Sequence, residues 1–586
     1  MPQILTLKRN TPVIYTNKAY CRDCNRCVRV CPVKAIRMHA GQASVVDDRC
    51  IACGTCVREC PQRAKTYRKD VDAARQLIQT HPVTVCSLAP SFAGFFPVWQ
   101  RKRLPSALRR LGFSFIGETA VGAYYSALAT AEYVKKHPKE PSICTACPAV
   151  VEYVQKYRPK AARYLVPVVS PMVAHAIHLR EKLGRETAVV FVGPCIAKKS
   201  EAGHYYGDAR VDCVLTFEEL LQWFENEQID VSGCEESDFD ETPKGKSRLF
   251  PLEGGCVLTG GLMTEFLDAD CIPVSGYRNV EHAILESRAG QVIEPLFCPL
   301  GCAGGPAGDG TNGCFEVRTG IINYAREEEH SVPGDSLKTE EPDGNEKAFL
   351  SKLTVFYDKA VSPIVRSEIS EAAIRHVLEM TGKALQENQL NCGACGYPTC
   401  REKAVAVIEG LAEPEMCLPF VRRIAEQRVD RIIETSPNGI VILDEHLNIL
   451  SMNPAFRTLF RCSNAICGKP VSHLLDPEPF ERLMGNPKNV INRTLGYPSY
   501  NLECHVLFYA LPEEKQYVGI FVDITDAKIN MTKLDKLRYQ TVTQARELLE
   551  QQIQMAETIA ICLGENAARA ESLLENLMNQ ANTENA

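Results

Sequence analysis

Two cysteine runs constrain this chain more than any other feature in it. Cys21, Cys24, Cys27 and Cys31, followed by Pro32, form a C-x2-C-x2-C-x3-C-P run, and Cys50, Cys53, Cys56 and Cys60 with Pro61 repeat it. Two-residue gaps let one tight loop wrap three corners of a 4Fe-4S cubane, while the fourth cysteine, starting a short helix, reaches across to a second cubane. The spacing predicts that Cys21, Cys24, Cys27 and Cys60 share one cluster and that Cys50, Cys53, Cys56 and Cys31 share the other. Structural zinc is the alternative, but zinc knots use two ligands plus two and have no need of a third C-x2 step.

This is the bacterial two-cluster ferredoxin pattern, expected over residues 1–72. Two such clusters carry single electrons and do no chemistry of their own, so the chemistry must lie downstream. The chain has 586 residues and 27 cysteines, which suits four or five compact units. Nothing at the start of the sequence reads as a basic segment, apolar stretch and cleavage site, and no stretch is apolar for the length of a membrane span. A cytoplasmic, anaerobic setting is therefore expected, where cysteines stay reduced and serve as metal ligands. The formal charge of -6 offers no large basic field for nucleic acid or an anionic membrane, and neither partner is expected.

Residues 80–325 alternate apolar strand-like runs, such as Thr187 to Val192, with helical segments such as Ser170 to Leu183. Within them stand Thr145-Ala146-Cys147-Pro148, Gly193-Pro194-Cys195-Ile196-Ala197-Lys198 and Cys298-Pro299-Leu300-Gly301-Cys302. Here the sequence resembles the iron-only (FeFe) hydrogenases. In that family three signature segments give four cysteines to a cubane, one of which bridges to a di-iron unit carrying carbonyl, cyanide and a dithiolate. The resemblance implies Cys147, Cys195, Cys298 and Cys302 as ligands, with Cys302 as the bridge. It also implies that Lys198 donates charge-assisted hydrogen bonds to a cyanide, with Glu201 beside it. Ala89-Pro90-Ser91 resembles the turn over the di-iron unit. Thr259-Gly260-Gly261-Leu262-Met263 resembles the glycine-rich segment near the same cavity, and Gly193 and Pro194 would line it.

The sequence departs from the family where proton handling is concerned. Catalytic members carry two adjacent cysteines, the first a free thiol that passes protons; this chain has Ala146 there. Alanine neither donates nor accepts a proton, and losing a positioned acid or base costs roughly 100- to 10,000-fold in rate. Gly193 stands in place of the usual methionine, and the tryptophan expected soon after Cys147 is missing, which alters the pocket's outer shell.

Residues 326–347, rich in Glu, Asp, Pro, Gly and Ser, read as a flexible acidic linker. Cys392, Cys395 and Cys400, with Cys417 after an amphipathic stretch, resemble a small 4Fe-4S domain of anaerobic electron-transfer proteins, expected over 370–425; zinc is the alternative. Its cluster is expected on the far side of the active-site domain, facing the C-terminal half. Residues 427–526 resemble a PAS domain, from strand Gly439 to Leu443 through Asn453-Pro454-Ala455-Phe456 to the Asp523-Ile524-Thr525 exit. Over 527–586, Val542, Ala545, Leu549, Ile553, Ala556, Ile559 and Leu563 recur at steps of three or four, the stripe of a coiled-coil helix. That helix holds no histidine, so output must pass to another protein.

The fold class expected is multidomain α/β and α+β: ferredoxin module, hydrogenase-like α/β domain, small 4Fe-4S domain, PAS domain and coiled-coil helix. The resemblance implies four 4Fe-4S clusters and a di-iron subcluster. Three functions stay open: a slow hydrogen sensor, a ferredoxin-linked hydrogenase, and an iron-sulfur scaffold without the di-iron unit. The sensor would act on H2 and protons, exchange electrons with a partner such as ferredoxin, and signal as a homodimer to a kinase, phosphatase or regulator.

Overall fold

The cysteine runs fold as one motif used twice. In the computed structural model, which describes residues 12–263, 270–308, 313–329, 344–357, 362–364, 369–525 and 542–553, each run forms a loop followed by a short helix, Arg26–Val30 and Thr55–Arg58. The backbone repeats at an offset of 29 residues: Asp23 and Ala52, Asn25 and Gly54, and Lys34 and Arg63 all take positive φ. That alternation curls each loop so that its amides face inward, the concave form that suits an anionic cluster. The antiparallel pairs Ile14–Thr16 with Lys65–Tyr67, and Ile36–His39 with Gln42–Val45, complete the module.

The chain divides into two compact units, residues 1–418 and 419–586. The first centres on a parallel sheet ordered Phe115–Glu118, Thr84–Leu88, Ala188–Gly193, Cys213–Thr216. Its two middle strands, Thr84–Leu88 and Ala188–Gly193, are buried at every residue, as expected of a parallel sheet covered on both faces. A second parallel sheet pairs Cys271–Ser275, Val292–Leu296 and Ser142–Ile143. Helices Ala120–Lys136 and Pro171–Leu183 run beside them.

The expected acidic linker is helical at both described ends. Arg326 to Glu329 finish helix Cys314–Glu329, and Gly344 to Lys347 open helix Gly344–Leu350; residues 330–343 lie outside the described residues. Phe349, Leu350 and Leu353 are buried in the main core, and the Val169 amide donates to Leu353 O at 3.0 Å. The α/β fold therefore draws on chain beyond residue 325. Composition averaged over 326–347 hides this, because the apolar anchors lie just past its end.

In the second unit, five antiparallel strands are ordered Ile449–Met452, Gly439–Leu443, Gln516–Asp523, Leu502–Leu511, Ile491–Tyr497. Phe456, Phe460, Phe480, Phe508 and Phe521 fill the interior, each at most 1% exposed. Asn453, also buried, caps helix Pro454–Leu459 through Phe456 N, accepts from Ile440 N, and donates to the carbonyls of Ile433 and Asn438. One side chain thus ties the incoming helix to the sheet. Asp523 accepts from the Thr525 amide and hydroxyl, fixing the exit of the last strand. Residues 542–553 are helical, with Val542, Ala545 and Leu549 half-buried and Ile553 exposed; Ala556, Ile559 and Leu563 lie outside the described residues.

Candidate active site

Four site segments leave the carboxyl ends of parallel strands. Ala89-Pro90-Ser91 follows Thr84–Leu88, Pro194-Cys195 follows Ala188–Gly193, Thr145-Ala146-Cys147 follows Ser142–Ile143, and Cys298 follows Val292–Leu296. Open α/β sheets bind ligands in this place, because the strands end there and the loops diverge.

Cys147, Cys195, Cys298 and Cys302 are brought together. Burial pushes all four thiols up, Cys195 to about 11, and the neighbouring cysteines of the set push Cys195, Cys298 and Cys302 further. Opposing this, amides of Phe297, Val150 and Ala149 point at the Cys147 sulfur, and those of Lys198 and Ala197 at the Cys195 sulfur. Four converging, half-buried cysteines whose thiolates each need a compensating cation suit an iron-sulfur cluster. Among the described residues no group of three or more His, Cys, Asp or Glu side chains gathers at the spacing of a single ion.

Lys198 sits in the short helix Ala197–Glu201 and is buried with Glu201. Its ammonium donates to Glu201 Oε2 at 2.8 Å, to Ser170 Oγ at 2.9 Å and to Ala146 O at 3.4 Å. Its three donors are thus engaged, and an acceptor in the pocket would replace the longest bond. Ser91 is 1% exposed and its hydroxyl has no hydrogen-bond partner among the described residues, an orphan that an acceptor in the pocket would satisfy. The donor set and this orphan fit the implied group.

Gly193 has a steric cause. A Cβ there would lie 2.8 Å from the Phe191 ring and 2.9 Å from Ala89 Cβ, so a methionine has no room without displacement. Ala146 packs against an apolar cluster that includes Cys144, Phe250, Cys256 and Met263, so the Thr259–Met263 segment contributes to the same cluster. Gly260 lets this segment approach Ala127 O, where a Cβ would stand at 2.8 Å.

Sequence reasoning missed Glu294. It is fully buried in Val292–Leu296, accepts from the amides of Cys256 and Val257 at 2.9 and 3.1 Å, and is pushed up to about 7, chiefly by burial. A carboxyl there gains and loses a proton near neutrality. The available signal was a lone acid in the apolar run Val-Ile-Glu-Pro-Leu.

The ferredoxin cysteines gather in two crossed sets. Cys27 is influenced by Cys24, Cys21 and Cys60, which line one cavity with it, and Cys56 by Cys53, Cys31 and Cys50. The second set docks on the active-site domain. Cys53 and Cys147 act on one another electrostatically, and Gly54, at φ 75°, nests against Pro306 and Ile196 where a Cβ would clash at 2.4 Å. Arg58 donates to Gly304 O at 3.0 Å and Lys156 to Cys50 O at 2.6 Å.

The third module is not on the far side. It packs on the ferredoxin module: Met38 N donates to Leu411 O at 2.9 Å, Arg49 pairs with Glu409 at 2.8 Å, and Lys34 donates to Gly396 O at 2.8 Å. Cys392 and Cys417 both act on Cys395. Cys400 opens helix Cys400–Ile408, its amide donating to Asn391 Oδ1 at 2.8 Å.

Comparison with known proteins agrees. Residues 82–306 match the family described as iron only hydrogenase large subunit, C-terminal domain; 13–61 match a 4Fe-4S dicluster domain; 388–419 match an Fe-S cluster family; and 427–494 match a PAS domain. The chain is 25% identical over 346 residues to the NADP-reducing hydrogenase subunit HndD of Solidesulfovibrio fructosivorans, covering 49% of this chain and 55% of that protein. It is 29% identical over 181 residues to the cytosolic Fe-S cluster assembly factor NAR1 of Yarrowia lipolytica, 28% of this chain and 35% of that protein. The chain therefore spans about a third to a half of these relatives' lengths. An apo variant of the FeFe hydrogenase HydA1 from Chlamydomonas reinhardtii aligns with 50% of this chain and 99% of its own, at 18% identity and a TM-score of 0.38. No helix among the described residues is long and apolar enough to cross a membrane. The chain thus carries an FeFe hydrogenase large-subunit domain, joined to a 4Fe-4S dicluster domain before it and a PAS domain after it.

Proposed function

We propose that this chain is a sensory FeFe hydrogenase, which binds or slowly turns over H2 and relays hydrogen or redox status through its iron-sulfur clusters and PAS domain to a partner regulator. The observation that carries the reading is Ala146. It occupies the position of the family's proton-relay thiol, packs on apolar neighbours, and offers only its carbonyl, which Lys198 engages. When bound, a cubane joined to a di-iron subcluster with CO, CN and dithiolate ligands supplies hydrogen binding and electron storage. Cys147, Cys195, Cys298 and Cys302 would hold it, with Cys302 as the bridging ligand the resemblance implies; Lys198, held by Glu201, and Ser91 would donate hydrogen bonds toward it; and Ala89, Pro90, Gly193 and Pro194 would wall the cavity.

A slow hydrogen site suits a signal better than a metabolic flux. The partners are H2 and protons, a redox protein such as ferredoxin, and a kinase, phosphatase or regulator reached in the cytoplasm through a homodimer of the C-terminal helices. The scaffold reading draws on the likeness to the assembly factor, and the orphan hydroxyl of Ser91 weighs against it. Infrared spectra of the matured protein under hydrogen and under argon decide between them. Reversible shifts of carbonyl and cyanide bands are expected; absent bands would leave a scaffold.

A further inference from the structure

The Cys392–Cys417 module does more than sit on the ferredoxin module: it packs against the backbone between two of its cysteines, Cys27 and Cys31. Gly396 takes φ 95° and approaches the ferredoxin backbone so closely that a Cβ would stand 2.7 Å from Val28 and 3.1 Å from Arg29 N. Lys34, three residues after Cys31, donates to Val28 O at 2.9 Å and to Gly396 O at 2.8 Å, so one ammonium fastens both modules. Tyr397 then enters the core that also holds Cys27, Val28 and Cys31. Tyr397 is 4% exposed, the Lys34 ammonium lies 5.7 Å from its ring centroid, and its hydroxyl has no hydrogen-bond partner among the described residues. Buried hydroxyls are rarely left so, and this one lies within electrostatic range of both Cys395 and Cys31.

We infer that the Cys31, Cys50, Cys53 and Cys56 site is a branch point of the electron path, with Tyr397 and Lys34 as the positioning residues of its branch to the Cys392, Cys395, Cys400 and Cys417 site. Cys53 lies within electrostatic range of the active-site cysteines, and Lys34 and Tyr397 each lie within range of both Cys31 and Cys395, so the same site has a neighbour on each side besides its ferredoxin twin. With cubanes bound, the step would be a single-electron transfer: the branch-point cubane would lose one electron, the Cys395 cubane would gain it, and no bond would form or break. Hydrogen supplies the electron in the working protein, and dithionite supplies it in the test. Tyr397 donates its orphan hydroxyl to a sulfur at this boundary, and the Lys34 charge favours the reduced state of both clusters. Hydrogen bonds to cluster sulfurs raise the potential.

The inference rests on cubanes at both sites, so the full-length reconstituted protein is first assayed for iron and sulfide. Potentiometric titration followed by EPR then compares wild type, Tyr397→Phe, and a Cys392→Ala/Cys395→Ala double variant. In wild type, the branch-point signal is expected to broaden as the Cys395 cubane becomes reduced, and the double variant loses that broadening while keeping the interaction between the ferredoxin pair. Tyr397→Phe keeps the ring and lowers the potential of one boundary cubane, leaving the active-site cubane unmoved. Four cubanes with no broadening that depends on Cys392 and Cys395 would overturn the branch; unchanged potentials in Tyr397→Phe would overturn the role of the hydroxyl. Iron and sulfide for fewer than four cubanes in wild type would instead overturn the cluster reading beneath it.

Discussion

The electron side of this molecule and its proton side have been kept to different standards. On the electron side, four cysteine sets are present, and the two ferredoxin loops repeat even their backbone conformation, with positive φ at matching positions. On the proton side, the same domain has alanine where a thiol is expected and a glycine pinned between Phe191 and Ala89. On the function proposed above, a protein that keeps its wires without that thiol would register hydrogen without processing much of it.

The largest effect that tests this contrast is on cluster content. Cys302→Ser should remove the active-site cubane with the di-iron subcluster it anchors while the other three cubanes remain, read as a loss of roughly a third of the iron of the matured protein. Iron unchanged from wild type would mean that the sulfur is not a ligand and that the electron side is less complete than it looks.

Next comes the buried pair beneath the pocket. Lys198→Met leaves the Glu201 carboxylate unpaired in a site where both groups are nearly inaccessible, and should destabilise the α/β domain by about 3–5 kcal/mol. Both tryptophans of the chain, Trp99 and Trp223, lie in this domain, so their fluorescence during urea unfolding reports on it specifically. The double variant Lys198→Met/Glu201→Leu should recover much of the loss.

A smaller effect belongs to Glu294. Its folded carboxyl is raised from 4.5 to about 7, so the native state holds a proton that the unfolded chain has released between these values. The associated stability is fully present below pH 4.5 and is lost as pH rises through 7, a change on the order of 3 kcal/mol. Glu294→Gln should flatten the unfolding free energy across that window, and a slope that survives would place the titration elsewhere.

What the sequence disclosed divides along the same line as the chemistry. A cubane imposes short, fixed gaps on a continuous loop, so the grouping of Cys31 and Cys60 with the opposite sets was legible from spacing. The site of the third module was not, because Lys34 to Gly396, Arg49 to Glu409 and Met38 to Leu411 join residues more than 350 positions apart with no pattern to pair them. Phe349 and Leu350 were masked by acidic neighbours, and Glu294 by the apolar strand around it. Ala146, in contrast, could be read as a departure only because the cysteine beside it fixed the alignment.

The rate of hydrogen evolution by the matured protein, measured for wild type beside Ala146→Cys, tests the central claim most directly. A slow wild type, with the variant faster by roughly 100-fold or more, is the expected result, since a restored thiol returns an acid/base group to the pocket. A wild type that is already fast, or a variant that gains nothing, would contradict it.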